Sequence, residues 1–369
     1  LKFWQKMLLA VSALLLIGAG TWLLWPQSTI KLTMLDQLGT QIQPVKTVRG
    51  RVGSRLSQRQ LAETGYQISA RPKIKFKTTP QARIIRYQPA LTGKRLNQKL
   101  RDYRYIGASF QVLNAGLGRH EQNYNKLESE MDRLRILLSN DGIHWDRLAV
   151  NYPNLAVRDP NIIKIGDRWW VIYTKGLMWT TDFQKWHQVV NPGFDPNQQF
   201  QKVWAPEIYR AKDGAYHVVS ANSTDGVTFQ LYDYGFNPQT GAMTAPQALN
   251  VRGNFPNLID PHITYQHGSY ELWAKDEQRH QLVRAVSSDG NTFTGTRAVA
   301  LPIKVGQTPE GPTELQHGRQ NLLYFDLYDQ RETFYGVQAV VFKNNQAVSK
   351  RYPLQADFMV RHFSVFVMR

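Results

Sequence analysis

The sequence contains no cysteine among its 369 residues. Disulfides, thiolate metal sites and thiol catalysis are therefore excluded. Helical periodicity is equally scarce. From about residue 103 onward, residues 123–134 are the one stretch that resists a strand reading and looks helical instead. Acidic residues are thin at one end of the chain. Residues 27–105 hold seventeen Lys or Arg against Asp36, Glu63 and Asp102, a surplus of +14 out of a total of +17. Lys2 and Lys6 add +2, which leaves +1 for residues 106–369. Basicity thus belongs to a segment, and the larger part of the chain is nearly balanced.

Charge is also missing from residues 7–25, nineteen positions in a row. That is close to the length that spans a bilayer. Trp22 and Trp25 stand at its far end, where interfacial aromatics are favoured. Residues 1–26 therefore read as an N-terminal transmembrane helix, an uncleaved anchor with the N-terminus inside and the remaining chain outside a cell membrane. A cleaved signal peptide and a secreted protein form the alternative, although Trp22-Leu23-Leu24-Trp25 directly follows the small residues Gly18-Ala19-Gly20. Residues 27–104 read as a basic linker. It is either solvated or settled on anionic headgroups or cell-surface polymers. Nucleic acid is not an expected partner of an exported domain. Within the linker, residues 56–62 suggest a short helix, and residues 74–76 and 84–87 short strands.

What is present in abundance is aromatic residues, 12% of the chain, and a repeat. Asp159-Pro160-Asn161, Glu207-Ile208-Tyr209, Asp260-Pro261-His262 and Glu310-Gly311-Pro312 follow one another at steps of 48, 53 and 50 residues. A turn glycine comes seven or eight residues after each, at Gly166, Gly214, Gly268 and Gly318. An apolar or aromatic run then begins, such as Trp169-Trp170-Val171-Ile172-Tyr173. Strand, tight turn and strand, repeated about every fifty residues, describe propeller blades. The hairpin around Asn140-Asp141-Gly142 resembles those around Ser288-Asp289-Gly290 and Thr181-Asp182-Phe183. A fifth repeat would start at Arg361-His362-Phe363-Ser364-Val365 and has no room for further strands. It would complete a blade begun near residue 105, which closes the ring and leaves few free edges. The expected fold is all-β, a five-bladed propeller over residues 105–369. Carboxylates at one register of its inner strands would converge at one end of the axis.

Taken in order, Asp159-Pro160, Trp204-Ala205-Pro206-Glu207, Ile259-Asp260-Pro261, Glu310-Gly311-Pro312 and Arg361-His362-Phe363-Ser364-Val365 resemble the motifs of glycoside hydrolase family 43. The resemblance runs from about residue 105 to the end. It implies a five-bladed glycosidase acting with inversion on arabinose- or xylose-containing glycans. It further implies Asp159 as general base, Glu310 as general acid and Asp260 as the third carboxylate, which orients the acid and disfavours its ionisation. No cofactor is required by such chemistry. A structural calcium on the propeller axis is compatible with the resemblance, with His362 reaching it through water, but Phe363 stands where a glycine is usual. Glu207 replaces the usual Asp, and serves either substrate or structure. Trp204 either stacks on a sugar face or fills a blade. His262 is a pocket wall or a core residue, and His362 is equally read as a core histidine.

Two other readings exist. Arg158-Asp159-Pro160 also resembles the Arg-Asp-Pro of fructan and sucrose hydrolases, but their Asn-Asp-Pro-Asn-Gly and Glu-Cys elements are missing. A surface propeller that binds a carbohydrate without cleaving it is the other. Intact Asp159 and Glu310 argue against that.

Overall fold

The computed structural model describes residues 25–70, 72–113, 132–317, 320–331, 333–343 and 346–369. The chain divides into two compact units, Leu1–Ala90 and Leu91–Arg369.

In the first unit, β1 (Gln27–Leu35), β2 (Lys46–Arg51), β3 (Tyr66–Ile68) and β4 (Gln81–Pro89) form a sheet in the order β2-β1-β4-β3. β1 and β4 run parallel and the other pairs antiparallel. Ile30, Leu32 and Met34 alternate along β1 and are buried with Val48, Ile85 and Tyr87. A single turn, α1 (Gln58–Leu61), is closed by a capping box between Ser57 and Gln60 and buries Leu61. The Phe76 ring occupies the space that a Cβ on Gly50 would need. The segment expected to be a linker is therefore a folded unit. Its basic residues ride on a sheet rather than on an open tether. Of the local expectations, residues 84–87 lie in β4. Residues 74–76 form no strand, only a bridge from Lys75 to Arg55.

The second unit opens at Leu91, before the expected boundary at 105. α2 (Gly93–Arg101) buries Leu96 and Leu100 against Ile106, Leu138 and Val150. Five sheets follow among the described residues. The first joins the two ends of the unit, in the order β26 (Arg361–Val367), β5 (Tyr105–Val112), β6 (Asp132–Ser139), β7 (Asp146–Arg147). The second runs β8 (Asn161–Ile165), β9 (Arg168–Tyr173), β10 (Gly176–Thr180), β11 (His187–Gln188). The third runs β12 (Lys202–Arg210), β13 (Tyr216–Ser223), β14 (Gln230–Phe236), β15 (Gln247–Ala248). The fourth runs β17 (Leu258–Gln266), β18 (Ser269–Asp276), β19 (Gln281–Ser287), β20 (Thr292–Ala298), with β16 (Asn250–Val251) on its outer edge. The fifth runs β21 (Gln307–His317), β22 (Gln320–Asp329), β23 (Phe334–Lys343), β24 (Gln346–Ala347), and β25 (Tyr352–Pro353) also pairs with β23.

The innermost strands β8, β12, β17, β21 and β26 each touch the next, and β26 touches β8. Five sheets, antiparallel except where β16 joins β20, around a closed ring of inner strands make a β-propeller. The C-terminal strand pairs with β5 from Val367↔Tyr105 to Arg361↔Phe110, so the ring is latched by the two ends of the unit. Phe363 is a core residue here. Its ring packs edge-on to Trp145 at 4.7 Å and fills the space beside Gly107.

The expectation of a transmembrane helix is corrected, and with it the single-pass location and the membrane as a partner. Among the described residues no helix is long and apolar enough to cross a membrane. α1 has four residues and α2 nine, four of them basic, against about 20 apolar residues needed for a span. Residues 7–24 of the expected anchor lie outside the described residues. So do residues 123–131 of the expected helix and the turn glycine Gly318. Asp132 to Leu134, the end of that helical reading, belong to strand β6.

The latch is testable. A Cβ on Gly107 would sit 2.3 Å from the Phe363 ring and 2.9 Å from the Ser364 carbonyl. Gly107→Ala should therefore cost about 1–3 kcal/mol of stability by overpacking. Urea unfolding of the two proteins measures it, and equal midpoints would contradict the packing described.

Candidate active site

Four of the five inner strands carry the same irregularity. Pairing is interrupted between Trp204 and Glu207, Ile259 and His262, Glu310 and Thr313, and Arg361 and Ser364. Asp159-Pro160 stands at the matching place just before β8. Three of the four interruptions contain a proline, at 206, 261 and 312. Proline has no N–H to give a ladder, so a bulge is where a central strand tolerates it. The residue before it is left-handed in every sheet: Asp159 at φ 51°, Ala205 at 43°, Asp260 at 52°, Gly311 at 54° and, before Phe363, His362 at 41°. Only glycine takes this conformation freely, and the other four each store roughly 1–3 kcal/mol of strain. A bulge re-aims side chains. Here it turns them toward a cavity of about 320 Å³ lined by Arg158, Asp159, Thr174, Trp204, Asp260, Lys275, Glu277, Glu310, Asp326, Arg361 and His362.

The structure brings Asp159, Asp260 and Glu310 together in that cavity, with Trp204 on its wall. Trp204 is half-buried and stacks on Phe229 at 4.4 Å. The four repeat carboxylates do not share one register, however. Asp159 and Asp260 do, Glu310 precedes it by one residue and Glu207 follows it by two. Glu207 therefore turns away from the cavity, as does His262. Both are buried, and His262 Nδ1 donates to Glu207 Oε2 at 2.7 Å while Nε2 accepts from the Glu314 amide at 3.2 Å. Neither is among the residues that line the cavity. They belong to a belt of buried polar residues two places after each left-handed one. In the same belt, Asn161 accepts from the Ile208 amide and Ser364 from the Ile162 amide.

The carboxyls sit in different electrostatic surroundings. Burial alone would raise Asp159. The His362 imidazole, whose Nδ1 lies 3.5 Å from Oδ1, outweighs it together with Arg158, a 2.8 Å hydrogen bond from Thr174 and Arg361. The result is an Asp held below the usual carboxylate range. Asp260 goes the other way, to about 6. Burial is the main cause, His362 opposes it, and the nearby Glu310 and Asp159 add to it. Its Oδ2 accepts from the Gly311 amide at 3.0 Å. Glu310 accepts from Lys275 Nζ at 2.5 Å.

The repeat pattern did not point to Asp326, Lys275, Glu277, Arg158 or Arg361 as cavity residues. Asp326 faces Glu310 across the β21–β22 ladder and accepts from the His362 amide at 3.0 and 3.1 Å. Burial pushes it up to about 7 against the pull of Arg361 and His362. The Arg361 guanidinium is buried among Phe110, Tyr328 and Phe334, 5.4–5.8 Å from their ring centres. The usable signal for Lys275 was a lysine inside the apolar run of a central strand.

His362 is buried and its proton affinity is raised. Burial works against this, and Asp159, Asp260 and Asp326 overcome it. Its Nδ1 faces Asp159 and its amide is taken by Asp326. Among the described residues no group of three or more His, Asp or Glu side chains is disposed to hold a metal.

No protein-family model matches the chain, and no curated protein matches it. Several solved structures are similar to it. An endo-1,4-β-xylanase from Bacteroides thetaiotaomicron is 11% identical over 68% of this chain and 93% of its own, at a TM-score of 0.49. A thermostable family-43 glycoside hydrolase is 14% identical over 56% and 74%, at 0.46. A Bacillus subtilis arabinanase is 15% identical over 64% and 89%, at 0.42. The chemistry proposed below rests on the cavity itself.

Asp260 offers a test of these electrostatics. An Asp that keeps its proton to about pH 6 when folded, against about 4 when unfolded, makes the folded state bind more protons between those values. Stability should then fall as pH rises from 4 to 6 and level off above. Asp260→Asn removes this loss. Its stability relative to the parent should grow by about 2–3 kcal/mol between pH 4 and pH 7, measured by urea unfolding. A pH-independent difference would contradict the shift.

Proposed function

We propose that the propeller is a glycoside hydrolase acting with inversion. The observation that carries this reading is the convergence of Asp159, Asp260 and Glu310 from three sheets on one cavity, with Asp159 held ionised and Asp260 held toward neutrality. Glycoside cleavage needs one carboxylate to take a proton from water and one carboxylic acid to protonate the leaving oxygen. Asp159 suits the base: Thr174 and His362 fix its oxygens and favour its charge. Glu310, on the strand beside Asp260, is the donor. Asp260 orients the loop through the Gly311 amide, and above about pH 6, where it is ionised, its charge favours the protonated donor. Trp204 offers an aromatic wall to a sugar face. Arabinose- and xylose-containing glycans are the substrates to which the sequence resemblance points. An inverting pair stands roughly 6.5–9.5 Å apart, with the attacking water between.

The Lys275–Glu310 ion pair favours a second reading. A carboxylate held by an ammonium is a poor proton donor, and the cavity would then bind a glycan without cleaving it. Turnover separates the two.

Aryl arabinosides, xylosides, galactosides and fructosides, with linear arabinan and xylan, form the test panel. Hydrolysis with initial release of the inverted anomer, followed by NMR, is expected. Asp159→Asn should lower kcat/KM by about 10²–10⁴-fold on every substrate. Glu310→Gln should do the same on polymers but spare an activated aryl glycoside, whose leaving group needs less protonation. Initial release of the retained anomer would sink the inverting assignment. Full activity in Asp159→Asn would sink the site.

A further inference from the structure

Lys275 lies on β18, the strand beside the one that carries Asp260, and only 2% of its surface is exposed. Its ammonium is 2.5 Å from Glu310 Oε1 and 2.5 Å from Glu277 Oε2. One buried cation is thus shared by two carboxylates, both on the wall of the cavity. Burial would lower the proton affinity of this amine, and Glu310 and Glu277 reverse that. The lysine is therefore a standing positive charge.

Such a charge creates a difficulty for a proton donor. With Glu310 as its only partner, protonating Glu310 would leave an unpaired ammonium in a buried site, which is costly. Glu310 would be confined to its ionised form. Glu277 removes that constraint. Its side chain is 36% exposed, so water helps to solvate it, and it reaches the same ammonium. When Glu310 gains a proton, the cation keeps Glu277. When Glu310 loses the proton, the cation again has both.

We propose that Lys275 is a positioning residue that sets when the Glu310 carboxyl carries its proton, with Glu277 as the second counter-ion that keeps the ammonium paired while Glu310 is neutral. This rests on the reading of Glu310 as donor. In a turnover, the proton on Glu310 passes to the leaving oxygen as the glycosidic bond breaks. The new carboxylate is received by Lys275. A proton from solvent then restores Glu310, and the ammonium falls back on Glu277. Other groups face Glu310 as well: Asp260 from β17, Asp326 from β22, His362 from β26, and beyond them Asp159, Arg158 and Arg361. Among these, the ammonium of Lys275 is the group that donates a hydrogen bond to the Glu310 carboxyl.

The test is the titration of the Glu310 carboxyl carbon by NMR in protein labelled at glutamate, with Glu310→Gln to assign the signal. It is followed by pH–rate profiles on an aryl glycoside and on a polymer. Lys275→Met keeps an unbranched apolar stem in the buried site. It removes the cation, so the Glu310 midpoint and the basic limb should move up by about 1 pH unit or more. Glu277→Gln removes the competing anion and leaves the cation to Glu310 alone. The same midpoint and limb should move down. Opposite directions are the signature, since a merely structural role would shift neither or depress both rates alike. An unmoved midpoint, or movement in one direction in both variants, overturns the assignment. Opposite shifts without turnover of any glycoside uphold it and sink the hydrolase reading. Turnover with an unmoved midpoint does the reverse.

Discussion

A single backbone constraint governs the second unit: four inner strands break their ladders at one place, and the fifth begins just past it. At Asp159, Ala205, Asp260, Gly311 and His362 the chain turns left-handed, and at four of the five a proline follows. The break has two consequences. It aims one or two side chains per strand at the axis, where they meet in the cavity. It also removes hydrogen bonds that the sheets would otherwise make internally. The buried belt of Asn161, Glu207, His262 and Ser364 replaces them, carrying bonds from strand to strand around the ring. Strain at the cavity is thus held by polar contacts just outward of it. An incompletely satisfied belt would be costly, because its members are nearly all buried.

Charge inside the cavity follows from crowding. Asp159, Asp260, Glu310 and Asp326 cannot all ionise in a small, partly dry space. His362, Arg158 and Arg361 lie toward Asp159 and settle its negative charge. Lys275 stands in contact with Glu310. Asp260 and Asp326 have burial as their leading influence and are pushed toward neutrality. A division of that kind is what acid–base chemistry requires, and it arises without any unusual residue.

Much of the propeller could be read from the chain, because strand, turn and proline recur locally. The fifty-residue step, the glycine turns and the Asp-Pro and Glu-Gly-Pro elements are short-range signals. Aligning the repeats on their carboxylates went astray at Glu207. Aligned on proline, Ala205 matches Asp159 and Asp260, and the buried polar residues Asn161, Glu207, His262, Thr313 and Ser364 fall into one column. Lys275 and Asp326 were harder to find. Asp326 faces Glu310 across the β21–β22 ladder and Lys275 reaches Glu310 from the neighbouring sheet, and neither contact is written in one strand alone. In the first unit the alternation of Ile30, Leu32 and Met34 was legible as a strand. The density of lysine and arginine obscured it, since charge suggested a tether while three inward residues sufficed to bury a sheet face. The uncharged run before it suggested a membrane-spanning helix on length alone, and the described architecture is built instead from strands and two short helices.

Closure of the ring ties the cavity to the stability of the whole unit. Arg361 and His362 come from the last strand, which is held by β5 on one side and rests against β8 and β21 on the other. Without that strand Asp159 would lose two of the cations that offset its burial. Asp326 would lose the amide it accepts from and the arginine that partly counters its burial. The electrostatic division among the carboxyls therefore exists only when the chain's two distant segments, near residues 105 and 365, have met. A contact of such long sequence separation is costly in loop entropy. A partly closed ring would keep most of its sheets and still lack the charged arrangement on which the proposed chemistry depends.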